Sequence, residues 1–114
     1  MEKSLLFDFY GELLTDHQRE VYGEYIQEDV SVSEIAGLSG ISRQGAHDMI
    51  RRCEKILADY ESRLHLVEHY LKIKKMAKAI QKDAGEILES GESQVIHSRV
   101  ERIIRMTDEI LEQY

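Results

Sequence analysis

Proline and tryptophan are absent from the 114 residues, and cysteine occurs once. Without proline, no position ends a helix by sterics alone. One thiol cannot build an internal disulfide framework, and it suits a reducing compartment. Long apolar runs are missing too: no segment approaches the roughly 18–20 apolar residues of a membrane span. Met1–Leu6 lacks both the basic region and the unbroken apolar stretch of a signal peptide. A cytoplasmic, soluble protein without membrane contact is expected. The chain is short enough for one domain, or one small domain plus an arm. Its apolar residues, 42% of the total, suffice for a modest core but not for a large catalytic cleft.

Positive charge is also scarce, with 15 Lys+Arg against 22 Asp+Glu and a formal net charge of −7. The mean hides a pattern. Residues 1–40 carry 2 basic and 9 acidic side chains, residues 41–82 carry 10 and 5, and residues 83–114 carry 3 and 8. Polyanion affinity follows the local basic face rather than the molecular average. The middle third can therefore serve phosphate while the flanks cannot.

What is present reads as helix almost throughout. Leu5, Leu6, Phe9, Tyr10, Leu13 and Leu14 make a helical stripe. Thr15-Asp16-His17-Gln18 has the form of a capping box that opens a second helix near Asp16. That helix carries Val21, Tyr22, Tyr25 and Ile26 on its apolar side and stops near residues 27–29. Ser31-Val32-Ser33-Glu34 repeats the capping spacing and starts a short third helix, with Gly37 and Gly40 marking its end and the following turn. Ser42 caps a fourth helix from Arg43. No strong breaker follows for about forty residues, and residues 64–66 read equally as continuous helix or bend. Ser90–Ser93 stops the chain again before a last helix that runs to Tyr114.

Two seams have spacings averaging 3.5 residues: Ile50, Cys53, Leu57, Tyr60, Leu64, Val67, Leu71, and then Ile96, Val100, Ile103, Thr107, Ile110, Tyr114. Such spacing marks a coiled coil or an antiparallel bundle. It fits either a self-contained bundle packed on the first helices or a homodimer formed through the C-terminal half, and the dimer is favoured because long apolar seams are seldom left in water.

Residues 31–52 have the layout of a helix-turn-helix, two short helices crossing at about 90–120° over a tight glycine-containing turn. Ala36 is small where the helices cross, and Gly40 stands where the turn needs positive φ. Ile35, Ile41, Ala46 and Met49 are spaced to form the core between them. The outward face of the second helix then carries Arg43, Gln44, His47 and Arg51, with Arg52 and Lys55 beyond. Arg and Gln make paired hydrogen bonds to guanine and adenine edges. Arg51, Arg52 and Lys55 stand where an emerging helix passes phosphates. Ser42, Arg43, Gln44, His47, Arg51, Arg52 and Lys55 form the candidate nucleic-acid-binding set. The alternative is a solvated polar face in a helical bundle, and Asp48 on the same helix opposes phosphate.

At this point the sequence resembles a known family. Over residues 4–66, and most closely in Leu5–Tyr10, Leu14–Glu20 and Ser31–His47, it is similar to the YlxM family of small bacterial proteins. The resemblance implies a helix-turn-helix like the −35-binding region of sigma factors. It also implies a regulator in the signal recognition particle pathway of protein targeting. Arg43 and Gln44 match the family's Ser-Arg-Gln start of the recognition helix. Gly45 and His47 depart from its usual Ala and Tyr, and a glycine there costs about 1 kcal/mol of helix propensity.

Other constellations are weaker. His65-Leu66-Val67-Glu68-His69 matches the H-x-x-E-H of one zinc protease group, but it lacks a third ligand and overlaps the packing seam. Cys53 lies on the seam as a buried, inert thiol. The Lys72–Lys82 segment reads as a solvated basic face or as a site for RNA or the DNA backbone, without sequence readout. No catalytic, metal or cofactor site is expected. The sequence thus predicts an all-α, non-enzymatic protein with a helix-turn-helix domain at 1–62 and a C-terminal helical segment at 63–114. It would be a homodimer that binds DNA or structured RNA, with signal recognition particle components as candidate partners. The rival is a protein-interaction module that has lost nucleic-acid binding and presents its acidic surface to a basic partner.

Overall fold

Six α-helices and one turn of 3-10 helix make up the regular structure of residues 2–113, the part of the chain that the computed structural model describes. In order they are α1 (Lys3–Tyr10), a 3-10 turn (Gly11–Leu13), α2 (Asp16–Gln27), α3 (Val32–Ser39), α4 (Arg43–Leu64), α5 (Leu66–Glu89) and α6 (Ser93–Gln113). Among the described residues no strand occurs, and the protein is all-α.

Side-chain caps set three of the helix starts. The Thr15 hydroxyl accepts from the Gln18 N–H while Gln18 Oε1 accepts from the Thr15 N–H, a complete capping box. Ser31 and Ser42 accept from the backbone N–H of Glu34 and Gly45, at 3.2 and 3.0 Å. Gly37 lies inside α3, so it does not mark that helix's end as the sequence suggested. Gly40 alone ends it, at φ +67°, where a side chain would be strained. The Ala36 carbonyl then accepts from both Gly40 and Ile41, closing the turn.

The ambiguity at residues 64–66 resolves as a break. His65 takes φ +56°, which ends α4, and α5 starts afresh at Leu66. The long seam is therefore not continuous. Ile50, Cys53, Leu57 and Val67 are buried, but Leu64, in the last turn of α4, and Leu71, beyond the reset of helical phase at His65, are exposed. In α6, Val100 is likewise exposed rather than packed in its seam, and Tyr114 falls outside the described residues.

The chain divides into two compact units, Met1–Val67 and Glu68–Tyr114. In the first, Tyr10, Leu14, Val21, Tyr22, Ile35, Ala46, Cys53 and Leu57 form one core drawn from α1 to α4. Each large apolar side chain enclosed there contributes about 1.5–3 kcal/mol before entropy is counted. Phe7 and Tyr22 meet at 5.8 Å between ring centroids, and Tyr10 stacks on Tyr60 at 6.0 Å. The second unit is the α5–α6 hairpin. Ile73, Met76, Ile80, Ile103 and Met106 are half-buried in it, and α6 has no fully buried residue.

Candidate nucleic-acid interface

The short α3, a three-residue turn and the N-terminal half of the 22-residue α4 build the site. Ile35 and Ala36 of α3 press on Ala46 and Ile50 of α4, all four buried, which fixes the inner face of α4 and leaves its other side to water. The Ser42 cap aims the first turn of α4 outward. Gly45 lets that cap sit close, because a Cβ at this position would lie 3.1 Å from Ser42 Oγ.

Every residue in the candidate set is exposed: Ser42, Arg43, Gln44, His47, Arg51, Arg52 and Lys55. Arg43, His47, Arg51 and Lys55 follow one another at intervals of four, so they climb a single face. At 1.5 Å per residue this stripe is about 18 Å long, about half a turn of duplex DNA. Arg52 lies to the side of it. Among the described residues no carboxylate pairs with Arg43, Arg51, Arg52 or Lys55. The arginines are thus not turned inward. Arg43, Gln44 and His47 also line a shallow groove of about 430 Å³ with Val32 of α3. It is open enough to receive a base edge or a sugar.

Gln44 is already engaged, donating from Nε2 to Asp48 Oδ1 at 2.9 Å. This bond holds the amide in place and partly offsets the Asp48 charge, but a base would have to compete for it.

Two features escaped the sequence. The first is Glu61, a carboxylate buried on α4. Its Oε1 accepts from the Tyr10 hydroxyl at 2.6 Å and from the Val67 N–H at 2.9 Å, while the Leu66 N–H donates to the same hydroxyl at 3.1 Å. Glu61 and Tyr10 together thus cap the start of α5. Burial and the adjacent carboxylate raise the Tyr10 pKa. Its spacing from Leu57 was the only available signal. The second is a groove of about 720 Å³ along α1 and α2, floored by Phe7, Gly11 and Gly23. Asp8, Glu12, Asp16, Glu20, Glu24 and Glu28 line it, recurring every fourth residue. That spacing was legible, but the groove was not.

His65 sits at the helix break and His69 within α5, so the single-helix arrangement that H-x-x-E-H requires is not formed. His65 gathers instead with Glu61 and Glu68, their ligand atoms within 4.8 Å of one another. Cys53 is sealed from water, and its burial pushes the thiol pKa up, away from the reactive thiolate.

Residues 1–93 match the family model described as "Putative helix-turn-helix protein, YlxM / p13 like". The chain belongs to this family. A UPF0122 protein of Thermoanaerobacter sp. is 39% identical over 107 residues, covering 94% of this chain and 92% of its own length. One from Symbiobacterium thermophilum is 50% identical over 72 residues, 62% of this chain and 67% of its own. One from Clostridium botulinum is 45% identical over 75 residues, 66% and 69% respectively. The family match spans the whole α3–α4 motif.

Proposed function

We propose that this is a non-enzymatic, cytoplasmic regulator that binds nucleic acid through α4 of its helix-turn-helix. The observation that carries the reading is the exposed Arg43–His47–Arg51–Lys55 stripe, without carboxylate partners among the described residues and held out by the buried α3–α4 contact. Arg43 and His47 read base edges or a looped base, with Gln44 joining if its bond to Asp48 opens. Arg51, Arg52 and Lys55 take phosphates. The family resemblance supports placement beside signal recognition particle components, with DNA or structured RNA as the target. We also read the working form as a homodimer through the C-terminal unit.

Fluorescence anisotropy with labelled duplex DNA and structured RNA, across a salt series, tests the interface. Affinity should fall steeply with salt, with a log–log slope near the number of phosphates neutralised. Arg43→Ala with Arg51→Ala should abolish binding and leave helicity intact. Full affinity in that double variant overturns the assignment.

The acidic groove on α1 and α2 favours a second reading, an interaction module for a basic protein partner. The absence of binding to either nucleic acid at low salt would select it.

A further inference from the structure

The α5–α6 hairpin leaves apolar side chains in water. Leu88 is 88% exposed, Leu111 81% and Ile104 52%. Helical phase sorts these residues. In α5 the seam toward α6 runs through Ile73, Met76, Ile80 and Asp83, and in α6 through Ile96, Arg99, Ile103, Met106 and Ile110. Ala77, Ala84 and Leu88 lie about 100° round α5 from its seam, and Val100, Ile104 and Leu111 about 100° round α6 in the same rotational sense. Because the helices run antiparallel, these two stripes share one side of the hairpin. The other side is ionic: Lys72 and Lys75 flank a groove with Glu109, while Glu86 pairs with Arg99 of the seam and Arg102 with Asp83 of the seam.

We propose that the apolar side is the docking surface for a second copy of this chain, joined about a two-fold axis parallel to the helices, so that α5 of each copy covers α6 of the other. This rests on the homodimer reading given above and names its surface. Two observations select a second copy as the occupant. First, the two stripes complement each other in size. Asp83 is level with Arg99 and Arg102, and Lys72 with Glu109. Val100 and Ile104 therefore stand level with the stretch between Ala77 and Ala84, and the large side chains of one copy's α6 fit over the small ones of the other's α5.

Second, the edges of the face carry opposite charge. Lys74 and Lys78 border it on α5, and Glu101 and Asp108 on α6. The two-fold brings the cationic edge of each copy against the anionic edge of the other, with Lys74 facing Asp108.

Sedimentation velocity on the full chain, from about 1 to 100 μM, reads the outcome. The wild type should be dimeric at the upper end, with a melting temperature that rises with concentration. Ile104→Glu with Leu88→Glu should give a monomer of unchanged helicity, because both positions are exposed within a copy. Lys72→Glu on the opposite side should leave the dimer intact. Lys74→Glu should weaken the dimer at least tenfold, and adding Asp108→Lys in the same chain should restore it. A wild type that stays monomeric throughout overturns the homodimer reading itself. A dimer indifferent to Ile104→Glu and Leu88→Glu keeps that reading and overturns this surface.

Discussion

In the N-terminal unit Tyr10, Tyr22, Ile35, Cys53 and Leu57 are sealed from water, whereas α6 in the C-terminal unit has no fully buried residue. Both regions are helical and both carry apolar stripes. The difference lies in geometry. Four helices, joined by connections at residues 11–15, 28–31 and 40–42, surround their own core from several directions. Two helices side by side can cover only one stripe of each other, and any second stripe stays wet. The first unit therefore closes on itself and leaves one polar face of α4 in water. The second leaves an apolar stripe exposed.

The largest expected contrast comes from truncating a side chain in each unit. Leu57→Ala should cost about 2–5 kcal/mol in urea unfolding, the range for a fully enclosed leucine. Leu111→Ala, measured at submicromolar concentration, should stay within about 0.5 kcal/mol of wild type. Equal costs would erase the distinction between the units.

A somewhat smaller loss is expected at the α4–α5 break. Glu61→Ala strands the Tyr10 hydroxyl and the Val67 N–H, and should cost about 3 kcal/mol. Tyr10→Phe removes one bond to Glu61 and one from Leu66, and should cost about 1 kcal/mol. If Glu61→Ala is neutral by the same unfolding assay, the buried carboxylate is not what fixes the start of α5.

Alkaline pH should act on the first unit through its two enclosed tyrosines. Burial, followed by the nearby Glu54, raises the Tyr22 pKa, and burial with the Glu61 bond raises that of Tyr10. Both hydroxyls keep their protons more firmly when folded than when unfolded, where the pKa is about 10. The stability they confer is complete below about pH 10 and lost as pH climbs above it. Thermal melts from pH 8 to 12 should show this fall, and Tyr22→Phe should flatten it.

The smallest effect concerns chemistry rather than stability. Cys53 should react with a thiol reagent only on the time scale of opening of the N-terminal unit, and far more slowly than the same thiol in urea. Fast labelling of the native protein would show a looser core than the structure has.

Local signals were legible where local chemistry decides the outcome. Thr15, Ser31 and Ser42 announced helix starts because a hydroxyl three residues ahead of a free N–H needs no tertiary partner. Gly40 announced the turn because positive φ is strained for other residues. The outward set from Arg43 to Lys55 followed from the same periodicity that buries Ala46 and Ile50. Gly37 misled, because its backbone stays helical inside α3, whereas that of Gly40 takes the left-handed form. The 3-4 spacing across residues 60–71 misled as well, because spacing presumes one unbroken helix. His65 breaks it, and neither Leu64 nor Leu71 is enclosed.

Sequence alone was enough to set the helical class, the caps, the turn at Gly40, the basic middle third and the family, because each depends on residue type within one or two helical turns. Tertiary structure decided that α4 stops at Leu64, that Glu61 is buried against Tyr10, that six acids share one groove, and which apolar stripe of the hairpin stays wet. These outcomes depend on which distant side chains meet, and one-dimensional spacing does not encode that. A carboxylate is enclosed only when a hydroxyl and backbone N–H groups from elsewhere in the chain arrive to satisfy it.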